Sequence, residues 1–311
     1  MPARLWRANS RAVLIWVPLT IAAAGLQVLR NAAQRELTGP LGLWGAAYVR
    51  FCYGLPFGLA WLAAILLWKG LSGGPGAAFV GYATTGALCQ GAAMACLVIA
   101  MQGRVLAVAT ALSKAEVLGA ALIGVVVLGD MMGPVAWAGI IVATLGVSLT
   151  ALAGASGALA DREAVRAAAF GILSGLFFSV SSVCYRGASL AWGGDPWVGA
   201  AATLVAALSI QTLVGGVLLA ALRPVVLGSV VRSWRVSLAP GAAGAFSSAL
   251  LFAAFALGPS AGAVKAVQLV DVLIAWALAR RLWAERLTLS EWIGAGLIIL
   301  GAAAVIVPFP S

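Results

Sequence analysis

Glu116 and Asp271 lie deep inside long apolar runs of the 311-residue chain. A charged side chain near the centre of a bilayer costs about 2.5–3.5 kcal/mol on insertion scales, so each needs a partner, a water-filled cavity or a function. Their polar neighbours recur at one spacing: Thr110, Ser113 and Glu116 stand at i, i+3 and i+6, and so do Lys265, Gln268 and Asp271. A row of that kind winds slowly around one side of a helix. It could line a cavity that binds substrate and takes up a proton, because a carboxylate in low dielectric is readily neutralised. The competing reading is an ion pair with Lys114, Lys265 or an arginine that only fixes helix packing. Lys114 falls about 160° from Glu116 on an ideal helix, which sets the two on different walls unless the cavity is broad.

A second polar face runs along the first apolar segment through Thr20, Gln27, Arg30, Asn31 and Gln34. It cannot point at lipid. Ser174, Phe178, Ser181 and Tyr185 form a milder stripe further on, with Arg186 just beyond. A planar guanidinium holds a carboxylate or phosphate bidentately, so Arg30 and Arg186 could anchor an anionic group. Close to helix ends they could equally snorkel to the interface, the reading favoured for Arg186. Arg50 is another buried-charge candidate, Gln90 a cavity hydrogen-bond donor or a helix-to-helix contact, and Phe246, Phe252 and Phe255 apolar contacts or packing. The candidate cavity set is therefore Glu116, Asp271, Lys265, Gln268, Arg30, Gln27, Asn31, Gln90, Ser113, Lys114, Ser181 and Tyr185, with Glu116 and Asp271 as proton-coupling candidates. With no His, and with Cys52, Cys89, Cys96 and Cys184 scattered singly, no metal site, cofactor or disulfide framework is expected.

The elements that position these residues follow from composition. The chain is 63% hydrophobic and 9% charged, with a mean hydropathy of +1.07, which excludes an ordinary soluble globule. Apolar runs fall at 12–34, 44–68, 77–101, 105–128, 134–152, 165–187, 197–221, 237–257, 261–283 and 291–308, each long enough to be read as a membrane span. Breaks at Thr38-Gly39-Pro40, Gly133-Pro134, Gly193-Gly194-Asp195-Pro196, Arg223-Pro224 and Gly258-Pro259-Ser260 separate them. The net charge of +10 sits mostly at span ends, where it sets topology and meets lipid headgroups; nucleic acid is not an expected partner. Gly54/Gly58 and Gly171/Gly175 have the spacing that lets helix backbones approach.

The longest polar connector lies at the midpoint, and the two halves repeat. A gapless shift of 155 residues puts Glu116 on Asp271, Asp130 on Glu285, Trp137 on Trp292, Gly139 on Gly294 and Gly146 on Gly301, and a shift of 156 puts Arg30 on Arg186. The expected organisation is a first five-helix repeat over 1–153, a connector over 154–166 and a second repeat over 167–311. Five is odd, so the second repeat enters the membrane from the opposite side. The fold class is thus an all-α integral membrane protein of ten transmembrane helices in two inverted five-helix repeats, the plan of secondary transporters.

Both halves close on a shared pattern: Leu128-Gly129-Asp130, Trp137-Ala138-Gly139 and Leu145-Gly146-Val147 in the first, Ala284-Glu285-Arg286-Leu287-Thr288, Trp292-Ile293-Gly294-Ala295-Gly296 and Gly301 in the second. In this the chain resembles the drug/metabolite transporter superfamily, specifically its EamA-like exporters of five plus five helices. The resemblance covers nearly the whole chain. It implies a bundle in which spans 1, 3, 4, 6, 8 and 9 line a central cavity and spans 5 and 10 are peripheral. Many members carry a proline near the middle of spans 4 and 9, where this chain has Glu116-Val117 and Asp271-Val272.

The function expected is secondary transport, by export, of a small organic metabolite, with amino acids or related zwitterions leading. A lipid or amphiphile flippase or scramblase using the same cavity as a headgroup track is the alternative. No enzyme is expected: no GxxxxGK[ST] loop occurs, and without histidine no Ser/His pair exists. The partners are a small-molecule substrate and the lipid bilayer, with a homodimer left open. The location is the inner cell membrane, multi-pass. A plain count of basic residues places the termini outside, whereas the resemblance and the basic segment before the first span place them in the cytoplasm, the orientation taken here.

Overall fold

A computed structural model describes residues 15–100, 112–153, 162–283 and 288–307. Most of these residues are helical, with no strand among them. The helices are α1 (Trp16–Cys52), α2 (Leu55–Lys69), α3 (Ala77–Ala100), α4 (Glu116–Leu128), α5 (Pro134–Ala153), α6 (Arg162–Ala191), α7 (Pro196–Leu222), α8 (Pro224–Arg232), α9 (Trp234–Leu257), α10 (Ala261–Gln268), α11 (Val270–Trp283) and α12 (Leu289–Ile306). Seven stretches of the described chain are long and apolar enough to cross a membrane, Trp16–Lys69 counted as one, and Glu116–Leu128 and Pro134–Thr150 are shorter apolar helices.

The polarity is that of a bilayer protein. Leu67, Val126, Leu213 and Leu300 face outward, while Lys265, Gln268, Asp271, Arg30 and Arg186 are buried. In water this distribution would forfeit the hydrophobic term twice over, and in lipid it costs nothing on the outside.

Most boundaries follow their local chemistry. Asp195 caps α7 by accepting the Trp197 N–H at 2.8 Å, with Pro196 in the first turn. Ser260 caps α10. Thr288 and Glu291 form a capping box at the start of α12. Gly129 ends α4 in the left-handed conformation, φ 68°, and the Asp130 N–H folds back to the Gly124 carbonyl at 3.2 Å. That reversal tucks the Asp130 carboxylate beneath its own helix.

Five expectations need correction. The break at Thr38-Gly39-Pro40 is absent: α1 carries Pro40 inside it and kinks at Gly42, φ 66°, where only a residue without a β-carbon turns freely. Gln34 bridges the kink by donating to the Ala46 carbonyl at 2.8 Å. The second apolar run is interrupted at Tyr53–Gly54, before Pro56, and the ninth at Leu269. The connector between the seventh and eighth runs holds the short helix α8, and α6 starts at Arg162, inside the expected midpoint connector.

The most extensive packings are α3 on α6, α1 on α9 and α5 on α12, with α2 on α7 a further close pair. Glycines let α5 and α12 touch through their backbones. A β-carbon on Gly139 would meet the Gly301 carbonyl oxygen at 2.6 Å, and one on Gly146 the Gly294 carbonyl oxygen at 2.7 Å. The two helices therefore run antiparallel, with the glycine pairs crossed.

Candidate functional site

Glu116 and Asp271 each stand in the first turn of a helix that begins at a break inside the apolar interior. A carboxylate at that position is favoured by the exposed N–H groups and the helix dipole. The two breaks have the same local form: the Val117 N–H bonds the Lys114 carbonyl at 3.2 Å, and the Val272 N–H bonds the Leu269 carbonyl at 3.1 Å. These tight three-residue turns change the angular phase of the helix, so Lys114 is not set apart from Glu116 as an unbroken helix would require.

Two ion pairs cross between the halves. Lys114 Nζ lies 2.7 Å from Asp271 Oδ2, and Lys265 Nζ lies 3.4 Å from Glu116 Oε2. Gln27 Nε2 also donates to Asp271 Oδ2, at 3.1 Å, and Gln268 Nε2 donates to Gln27 Oε1 at 3.0 Å. The cluster thus ties α1, α4, α10, α11 and the turn at Lys114 into one polar network. Two of its buried acceptors, Asp271 Oδ1 and Gln268 Oε1, receive no hydrogen bond. A proton on Asp271 Oδ1 would convert one of these acceptors into a donor, while weakening the hold of Lys114.

A second polar group lies beside Arg50. Gln90 Oε1 accepts from the Tyr185 hydroxyl at 2.9 Å and from Gln211 Nε2 at 2.6 Å, and Gln211 Nε2 also reaches the Tyr185 oxygen at 3.0 Å. Ser181 is buried on the same helix, one turn before Tyr185. Tyr185 is held against Phe252, ring centroids 4.4 Å apart. Arg50, Gln90, Gln211, Gly244, Ser248 and Phe252 line a narrow cavity of about 10 Å³, room for little more than one water.

Arg186 does not snorkel. It is buried, its Nε donates to Asp130 Oδ1 at 3.1 Å, and its Nη atoms donate to the carbonyls of Phe255, Gly258 and Pro259. Asp130 Oδ2 in turn accepts the Ala261 N–H at 3.2 Å. Arg186 therefore closes the C-terminal end of α9, and Asp130 the N-terminal end of α10; every arm of the guanidinium is engaged, which leaves none for a substrate. Arg30 is also buried within the protein. Its Nε and Nη2 both donate to Asn31 Oδ1, at 3.3 and 2.8 Å.

The other candidates divide between cavity and packing. Ser113 is buried one residue before Lys114, and Thr110 lies outside the described residues. Thr20 bonds its own helix at the Trp16 carbonyl, and Ser174 bonds α6 to α3 through the Ala93 carbonyl. Phe255 is fully buried packing, and Phe246 rests on Phe57 and Trp61 at the rim. Two residues absent from the sequence-based set belong in it or beside it: Gln211, a lone amide in an apolar run, which was a legible signal, and Asp130, whose partners come from distant elements.

No protein-family model matches the sequence, and no curated protein does. A solved crystal structure matches with a TM-score of 0.66 over 96% of this chain and 96% of its own, at 16% identity. At that identity the likeness bears on the fold alone.

Proposed function

We propose that this chain is a secondary transporter of a small organic metabolite, an exporter of the EamA-like kind, built as two inverted five-helix repeats that expose a central site to each side of the membrane in turn. The observation that carries the reading is the crossed pair of ion bridges, Lys114 to Asp271 and Lys265 to Glu116. Each joins one half of the chain to the other at a helix break in the apolar interior. Packing supports the same reading. Exchange of the halves turns the α3–α6 contact into the α9–α1 contact and returns α5–α12 and α2–α7 to themselves, and it interchanges the Gly139–Gly301 and Gly146–Gly294 approaches. Two nearly equivalent halves give two states of nearly equal energy, as alternating access requires.

Proton coupling runs through the same pairs. Neutralising Asp271 or Glu116 would release a lysine and let the halves part, and the unmet acceptor Asp271 Oδ1 is a seat for that proton. The zwitterion class needs a carboxylate for the substrate ammonium, and both acids are engaged by lysines in the state described.

The test is counterflow in proteoliposomes loaded with unlabelled amino acids, organic acids, nucleosides or amines, with and without a pH gradient. The expected result is saturable counterflow of one solute class, with loss of gradient drive in a Glu116→Gln, Asp271→Asn double variant. Full gradient-driven transport by that variant would remove the proton-coupling reading. Movement of labelled lipid with no solute counterflow would replace the carrier by a flippase.

A further inference from the structure

We infer that the cavity beside Arg50 receives the anionic head of the transported solute, a carboxylate or phosphate group on a small organic anion. The inference rests on the carrier reading above and adds the substrate class to it.

The interior cluster holds four basic side chains, Arg30, Arg50, Lys114 and Lys265, against two carboxylates, Glu116 and Asp271. Both carboxylates are spent on the lysines. Neither arginine has a carboxylate within ion-pair distance among the described residues. Arg50 Nη1 reaches only the Met94 sulfur, at 3.4 Å, and its guanidinium lies 4.8 Å from the centre of the Phe51 ring. Arg30 is held by the neutral amide of Asn31. A guanidinium in low dielectric without a counter-charge is costly, and a bound anion removes that cost.

The two arginines are neighbours. A β-carbon on Gly244 would fall 3.1 Å from Arg30 Cδ and 3.7 Å from Arg50 Cβ, so both stems pass the same glycine on α9. Arg50 opens into the cavity, and Gln90 stands on its wall. Gln90 Oε1 is committed to Tyr185 and Gln211, while its Nε2 has no partner among the described residues. The cavity as described admits little more than one water, so the anion is seated as the halves part and the walls separate, and a carboxylate or phosphate there takes the guanidinium fork and this amide together. Phe252, Leu204 and Leu208 on the same cavity offer an apolar wall for the carbon skeleton. With no carboxylate of the cluster left free for an ammonium group among the described residues, the geometry favours a net anion over a zwitterion or an amine.

The experiment is thermal unfolding of the purified full-length protein in detergent, titrated at constant ionic strength with succinate, 3-phosphoglycerate, alanine, putrescine or sodium chloride. Succinate or 3-phosphoglycerate is expected to raise the Tm saturably, and the two arms separate carboxylate from phosphate recognition. The shift is expected to disappear in Arg50→Gln. In Arg50→Lys, which keeps the charge and loses the fork, the apparent affinity is expected to fall about tenfold, the scale of one charge-assisted hydrogen bond. Gly244→Ala, which crowds Arg30 without altering charge, is expected to weaken it as well. Should Arg50→Gln fail to fold, the Lys and Ala variants carry the test. Stabilisation by alanine or putrescine equal to that by the anions, no stabilisation by any of them, or anion stabilisation unchanged in the variants would overturn the inference. Anion binding without counterflow would leave the site standing and remove the carrier; counterflow of zwitterions alone would do the reverse.

Discussion

Asp271 bears more of the interior's polar contacts than any other acid of the cluster, since one oxygen accepts from both Lys114 and Gln27 and the other from nothing. A buried pair of this kind is close to neutral in stability when whole and expensive when halved. Lys114→Ala is therefore expected to destabilise the protein by about 3–5 kcal/mol, and Asp271→Asn placed on top of it to recover most of the loss. Thermal unfolding of the two single variants and the double variant measures the coupling, and additive effects would mean that the pair is held apart by water. Glu116, Asp271, Lys265 and Gln268 were legible because their spacing repeats between the halves. Lys114 was misplaced because its angular position was taken from an unbroken helix. Arg186 was misread as an interfacial side chain because its partners, Asp130 and the carbonyls of Phe255, Gly258 and Pro259, are far away in sequence and leave no local pattern.

At the level of helices, breaks do the positioning. The interruptions before Glu116 and before Asp271 put carboxylates at new helix starts, and the kink at Gly42 swings the Arg50 arm of α1 toward the cavity. Hydropathy located the apolar runs but not these interruptions, because a turn of two residues inside an apolar run scarcely changes the mean. The α8 helix was missed for a related reason: nine residues between two spans are too short for periodicity to show. The α5–α12 contact depends on glycine at four positions, and those glycines were visible as repeat-aligned residues. Gly146→Leu is expected to force the helices apart, with a cost of about 1–3 kcal/mol or more from overpacking. Its mark is a lower Tm in detergent with an unchanged ligand response, since the contact is not part of the candidate cavity; an unchanged Tm would mean that the helices separate freely there.

Across the described residues the helices are apolar on the outside, and the buried ion pairs Lys114–Asp271, Lys265–Glu116 and Arg186–Asp130 each join one half to the other. On the transport reading proposed above, a proton or an anion shifts the balance between the two states only by its differential affinity for them. Arg30 and Arg186 are both buried, so neither belongs in a count of loop charges that sets orientation. The central claim is that the cavity faces each side of the membrane in turn. It is tested most directly by replacing Cys52, Cys89, Cys96 and Cys184, introducing Ser248→Cys on the cavity wall, and labelling with a membrane-impermeant maleimide in right-side-out and inside-out vesicles. The account predicts labelling from both sides, slowed from both by a bound solute. Labelling from one side alone, whatever the pH or solute present, would contradict it.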